Sequence, residues 1–286
     1  MANLKEIRNR ISSVSSTMQI TSAMKMVSAA KLKKAQDAIT AMRPYADKLT
    51  ELLQSLSATL DADSGSKFSN QREVKKVLIV AITSNRGLAG AFNSNIIKEV
   101  NKLTAEVYDN QEVSYLAIGK KANDAFKKTN KVIANKSEVF DDLTFENVAE
   151  IAQLAMDKFV AGEYDKIEVV YNRFKNAATQ IVTREQFLPI VPVEGTANTN
   201  ADYIFEPSKI EIVEQLIPKS LKTQLFKAIR DSFASEHGAR MTAMHKATDN
   251  ATELRDQLKL TYNKARQAAI TNEILEIVGG AEALNN

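Results

Sequence analysis

The chain has no cysteine, no tryptophan and only two histidines, with five prolines and nine glycines among its 286 residues. Lacking cysteine, it can form neither disulfides nor thiolate sites, which suits a reducing compartment. The histidines, His237 and His245, stand on the predicted last helix with no acidic motif between them. No zinc pattern remains, and both read as surface or seam residues. No run of about 18 apolar residues occurs, so no helix spans a membrane. Asp141 and Asp142 fall in a predicted loop and read as solvated, and no serine or threonine sits in a nucleophile-elbow setting. No catalytic residue, cofactor-binding residue or metal ligand stands out. The formal net charge of +3 is too small to argue for nucleic acid by itself.

What is present is periodic. From Leu4, a 3-4-3-4 spacing runs through Ile7, Ile11, Val14, Met18, Thr21, Lys25, Ser28, Leu32, Ala35, Ile39, Met42, Ala46, Leu49, Leu53, Leu56 and Leu60. Only Thr21, Lys25 and Ser28 interrupt its apolar character, so the seam follows a heptad. Pro44 is the one helix-breaker between Asn3 and Leu60, a segment roughly 85 Å long as a helix. Such a stripe needs a partner, and the segment from about Leu221 to Leu284 supplies one. Its seam is noisier, with Leu254, Leu258, Thr261, Ala265, Ala268, Asn272 and Leu275. Upstream, Ala234, Ser235, Gly238 and Ala239 allow close backbone approach. Seven basic residues (Lys5, Arg8, Arg10, Lys25, Lys31, Lys33, Lys34) face one acid, Glu6, between Met1 and Gln36. That excess suits an acidic protein surface, an anionic membrane or a polyanion. Basic, serine-rich sequence also resembles a transit peptide, but the seam continues unbroken beyond Lys34.

Between the helices, strands are predicted at Val77 to Ile82, Val113 to Ile118, Ile167 to Tyr171 and Gln180 to Leu188. Helices are predicted at Asn93 to Val107, Lys120 to Lys127 and Phe145 to Val160. Alternation of this kind implies a mainly parallel sheet with a closing antiparallel strand or hairpin, an α/β domain of Rossmann-like type. Tyr203 to Pro207 reads as a short strand, and the last helix as starting after Pro218. The expected domains are a helix over 1–60, an α/β domain over 73–207, and a helix over 218–286 that pairs with 1–60 as an antiparallel coiled coil. The loop Ser84-Asn85-Arg86-Gly87-Leu88-Ala89-Gly90 lies between strand and helix, where phosphate loops sit. It lacks both the Walker ending and the three-glycine fingerprint, leaving a structural turn or, alternatively, a nucleotide contact.

The string Ile270-Thr271-Asn272-Glu273-Ile274-Leu275-Glu276-Ile277-Val278-Gly279-Gly280-Ala281-Glu282-Ala283 resembles the signature of the gamma subunit family of F-type ATP synthases. Ile11 to Lys34, containing Met24-Lys25-Met26-Val27, resembles that family's N-terminal helix. Ser84 to Gly90 resembles its strand-to-helix loop. Ala239-Arg240-Met241-Thr242-Ala243-Met244 with Ala247-Thr248-Asp249-Asn250-Ala251 matches a further block. The blocks keep their order along the whole chain.

The resemblance implies a rotating central shaft with no catalytic site and no cofactor of its own. It couples ion translocation to ATP synthesis or hydrolysis in the beta subunits. Implied partners are the alpha and beta subunits of the catalytic hexamer, an epsilon subunit and the membrane ring of c subunits. Nucleic acid is not among them. The implied location is the cytoplasmic side of a bacterial inner membrane, held peripherally through the complex. Met24, Lys25, Arg266, Gln267 and Thr271 match positions that contact beta. Ile277, Val278, Ala281 and Leu284 match the shaft tip turning in an apolar collar. Tyr203, Phe205 and Glu206 match the foot on the c ring. The regulatory dithiol insertion of chloroplast relatives cannot operate in a chain without cysteine. Two rival classes stay open from the residues alone. One is a coiled-coil adaptor whose basic helix grips nucleic acid or anionic membrane; the other is a nucleotide-dependent enzyme of the α/β domain.

Overall fold

Six consecutive apolar residues, Val77 to Ile82, offer no polar face to water, so the segment is stable only as a strand covered on both sides. In the computed structural model, which describes residues 4–57, 67–129, 131–190 and 209–284, it forms β1 (Lys76–Ile82), buried throughout after Lys76. Beside it lie β2 (Glu112–Ile118), β3 (Val132–Asn135), β4 (Lys166–Phe174) and β5 (Gln180–Leu188) in the order β3-β2-β1-β4-β5. The first four strands are parallel. β5 runs antiparallel to β4 and closes the sheet as the sequence suggests.

The two faces of β1 separate by alternation. Val77, Ile79 and Ala81 pack under α2 (Phe92–Lys102) and α3 (Lys120–Phe126) through Ile96, Val100, Ala122 and Phe126. Leu78, Val80 and Ile82 pack under α4 (Phe145–Val160) and part of α5 (Lys209–Leu284), including Leu221, Leu225 and Ile229. In α4, Val148, Ile151, Ala152, Ala155, Met156 and Phe159 are all buried, the face that the 3.6-residue period selects. Thr144 caps that helix by accepting a 3.3 Å bond from the Asn147 amide. Between α2 and β2 the helix widens into a π turn, Leu103–Val107.

Two local details fix the α/β core. At the end of β2, Gly119 has φ +106, and a Cβ there would lie 2.2 Å from the Thr83 carbonyl oxygen, so no other residue fits. On β4, the buried Glu168 carboxylate accepts two 2.7 Å bonds from Arg184 and one of 2.6 Å from the Tyr108 hydroxyl, with Lys166 at 3.0 Å. Burial alone would raise its pKa. The bonds from Arg184, Tyr108 and Lys166 outweigh burial and hold the carboxyl below its usual range. The network ties β4, β5 and the residue following the π turn into one brace.

The chain divides into two units, one of Met1–Ser28 with Met241–Asn286 and one of Ala29–Arg240. The long helix α1 (Leu4–Ser57) contributes to both. Every seam position of α1 from Leu4 to Leu49 is buried or half-buried.

In the first unit, α1 and α5 run antiparallel. Arg8 donates to the Tyr262 hydroxyl at 2.7 Å, the Thr21 and Thr248 hydroxyls share a 2.8 Å bond, and Arg255 reaches the Met18 sulfur at 3.4 Å. The α5 face turned to this seam carries Ala251, Arg255, Leu258, Tyr262 and Ala265, all buried or half-buried. Two of the seven expected seam positions hold. Leu258 and Ala265 belong to it, whereas Leu254, Thr261, Ala268, Asn272 and Leu275 are exposed. Bonds to Arg8 and Met18 favour Tyr262 and Arg255 over their apolar or neutral neighbours, turning that half of the seam by one residue.

Two further expectations change. α5 starts at Lys209 and runs through Pro218 rather than beginning after it, because Ile217 and Leu221 on either side are buried. His237 is buried, not a surface residue, with 5% of its area exposed. Tyr203 to Pro207 lie outside the described residues.

Candidate functional site

Helix α5 is a long carrier for side chains, and its environment changes along its length. Up to Ala265 some residues in each turn are covered; from Arg266 to Ala281 every residue is exposed. Several of these are apolar: Ile270, Ile274, Leu275, Ile277 and Val278 are each about half or more exposed, Ile277 reaching 68%. An apolar row of that kind on a helix end is what a partner surface covers. Arg266 and Gln267 stand on this stretch. The Thr271 hydroxyl donates back to the Gln267 carbonyl at 2.9 Å, leaving its oxygen as the acceptor toward any partner. Ile277, Val278 and Ala281 lie further along, and Leu284 is the last residue of α5.

Met24 and Lys25 sit elsewhere. Both are half-buried on α1, one turn from Thr21. The antiparallel pairing sets that turn against α5 near Met244. Roughly 30 Å of helix therefore separates this pair from Arg266. Tyr203, Phe205 and Glu206 lie outside the described residues. Sequence reasoning passed over Arg8, Tyr262 and Arg255, which bond across the coil. The available signal was the presence of polar residues at seam spacing.

The loop from Ser84 to Gly90 is tied down by its own fold. The Ser84 hydroxyl donates to the Arg86 carbonyl at 2.6 Å, and its amide donates to Asn93 Oδ1 at 2.9 Å. Asn85 Nδ2 donates to the Ser137 carbonyl at 2.9 Å, while its Oδ1 accepts from the Lys120 amide at 3.0 Å. From α5, Arg240 donates to the Arg86 and Gly87 carbonyls, each at 3.3 Å. Those carbonyls turn toward a guanidinium, the opposite polarity from a cradle of amides around phosphate. The loop is the structural turn of the two readings. Among the described residues, no cluster of three or more histidine, aspartate or glutamate side chains could hold a metal, and no helix is long and apolar enough to cross a membrane.

Comparison with known proteins gives one answer. A profile of the family described as ATP synthase matches residues 3–284. The ATP synthase gamma chain of Flavobacterium psychrophilum is 78% identical over 285 residues, covering 99% of both chains. That of Flavobacterium johnsoniae is 75% identical over 286 residues, covering both chains fully. Among solved structures, the central stalk and c-ring of the Tetrahymena thermophila mitochondrial ATP synthase matches with a TM-score of 0.61 at 25% identity, covering 80% of this chain and 99% of the other. The rotor of the Euglena gracilis enzyme, at 22% identity, shares the fold with a TM-score of 0.67, covering 93% of this chain and 98% of the other.

Proposed function

The chain belongs to the ATP synthase gamma chain family, and from that premise we propose how each of its surfaces serves the central stalk. The protein is the rotor subunit, non-catalytic itself, of a complex whose beta subunits carry the catalytic sites. The adaptor reading finds no support in these matches. The paired ends of α1 and α5 enter the hexamer of alpha and beta subunits, and their rotation drives the beta sites through successive nucleotide states. The observation that carries this reading is the run of exposed residues from Arg266 to Ala281 on α5.

Arg266, Gln267 and Thr271 hydrogen-bond a beta loop. Met24 and Lys25 form a second beta contact lower on the coil, and the exposed Lys31, Lys33 and Lys34 face acidic beta loops. Exposed ion pairs are worth only about 0.2–1 kcal/mol each, which suits contacts that must break and re-form at every step. A buried pair would cost about 3–5 kcal/mol to break and would hold the rotor in place. Ile277, Val278, Ala281 and Leu284 turn in an apolar collar, where the lack of directional bonds keeps friction low. Tyr203, Phe205 and Glu206 meet the c ring, an epsilon subunit binds the stalk, and the whole stands at the cytoplasmic face of a bacterial inner membrane.

Reconstitution tests the reading. The purified chain is mixed with alpha and beta subunits from the same source, and complex size and ATPase activity are followed. One copy captured per hexamer, with multisite hydrolysis appearing only in its presence, is the expected result; no capture and no stimulation would overturn it. Within that complex, Arg266→Ala weakens assembly or coupling, and unchanged ATP-driven ion pumping would remove Arg266 from the beta contact.

A further inference from the structure

Open α/β sheets bind ligands where successive crossovers leave toward opposite faces, in the crevice past the carboxyl ends of two neighbouring strands. In this sheet α2 and α3 cover one face and α4 the other, so that point lies between β1 and β4. β1 ends at Ile82, and the pairing of Ala81 with Val170 places Asn172 just past its end. A nucleotide-binding relative of this topology would hold its phosphates here, against the loop that follows β1.

The chain's own helix α5 fills the place. Ala234 and Ser235 are completely buried. Ser235 Oγ donates to the Asn172 carbonyl at 2.9 Å, and Asn172 Nδ2 donates to the Phe92 carbonyl at the start of α2 at 3.2 Å. Ala239 packs with Ala89 and Phe92. Gly238 lies so near the β4–β5 turn that a Cβ on it would come 3.1 Å from the Ala177 Cα. Arg240 forks: one nitrogen bonds Glu236 at 2.6 Å and the other bonds the Arg86 and Gly87 carbonyls. Both partners of that pair are nearly buried, at 8% exposure. The small residues that resemble a slim coiled-coil seam in the sequence therefore serve a different neighbour, the sheet edge and its loops.

The contacts also cover more than half of the helix's circumference. At about 100° per residue, Gly238, Ser235, Ala239 and Arg240 span roughly 200° of its circumference. They meet four pieces of chain: β4, the β4–β5 turn, the loop after β1 and the start of α2. Rolling α5 in either direction drives a side chain into one of them or pulls Arg240 from the loop.

We infer that the ligand crevice of this α/β fold has become a socket for residues 234–240 of α5, locking the helix against rotation about its own axis relative to the sheet, with Arg240 as the key. This rests on the rotor reading, since only a torque-bearing helix needs such a lock. Arg240 is a positioning residue and touches no substrate. Burial pushes the Glu236 carboxyl above its usual range, and the charges of Arg240, Lys31 and Arg86 offset only part of that rise.

The test uses the assembled, membrane-reconstituted complex. Arg240→Lys keeps a cation beside Glu236 but lacks the planar fork that reaches both loop carbonyls. Ions moved per ATP hydrolysed are measured against an opposing gradient. The wild-type complex must couple, and if it does not, the rotor reading itself fails. In a coupled complex, R240K is expected to hydrolyse ATP while losing about half or more of its ions moved per ATP. Into this cysteine-free chain, Ala89→Cys and Ala239→Cys are then added and oxidised to pin α5 to the loop. Recovery of the ratio on oxidation, reversed by reductant, supports the lock. An unchanged ratio in R240K overturns it, as does an oxidised A89C/A239C pair on the wild-type background that abolishes pumping, since a fixed joint tolerates a covalent pin.

Discussion

His237 shows how much one buried side chain can weigh. Its ring stands edge-on to Phe233 with centroids 4.5 Å apart, and both of its nitrogens are buried without a hydrogen-bond partner among the described residues. Burial first, then the charges of Arg240 and Lys31, push its pKa down to about 4. The unfolded chain takes up this proton near pH 6.5, the folded chain only near 4. Between those values the unfolded state binds more protons, so stability is complete above pH 6.5 and declines as pH falls toward 4. The full contribution is about 3 kcal/mol. Urea midpoints measured across this range should fall with acidification, and His237→Leu should flatten that part of the profile. A variant with an unaltered slope would place the titrating group elsewhere. Nothing in the sequence marks His237 as buried. Periodicity reports which face of a helix is apolar, and here a polar residue occupies a covered face.

At the scale of elements, legibility follows the strength of the period. The boundaries of α4 and its whole buried face are readable because six apolar residues recur at helical spacing over a polar remainder. β1, β2 and β5 are readable as apolar or alternating runs. β3 is not: four residues at the sheet edge, all half-buried or exposed, carry no pattern. The start of α5 is hidden by Pro218, a residue that ordinarily opens a helix but here lies inside one, where flanking Ile217 and Leu221 are held by the core. Of the proposed beta contacts, Arg266, Gln267 and Thr271 rest on resemblance, since an exposed helix face looks the same whether it meets a partner or water. The exposure of this stretch leads to a prediction for truncation. Deleting residues 270–286 removes a stretch whose side chains from Ile270 to Ala281 are exposed in the chain alone, so the melting temperature of the isolated protein should barely move. Rotation and hydrolysis in the hexamer should persist at reduced rate. Complete loss of hydrolysis would make the segment an essential anchor rather than a bearing.

For the whole molecule, the lack of cysteine fixes one property outright. A complex whose other subunits are also cysteine-free should show the same ATPase rate with and without dithiothreitol, and any response would contradict the sequence-based exclusion of dithiol control. The division into units carries a second property. Met1–Ser28 and Met241–Asn286 make one unit from the two ends of the chain, and the bonded pair Thr21 and Thr248 is separated by 227 residues. That unit closes only after residues beyond Met241 have been made, whereas the sheet and its helices can close earlier.

The hydroxyl pair itself has a mechanical meaning. A purely apolar coil repeats every seven residues and would accept several alignments of nearly equal energy; polar pairs across it, Thr21 with Thr248 and Arg8 with Tyr262, select a single alignment at some cost in stability. Sliding α5 by one repeat would displace its free end by roughly 10 Å. The bonded pairs thus act as a length gauge, setting how far the end of α5 extends past the start of α1.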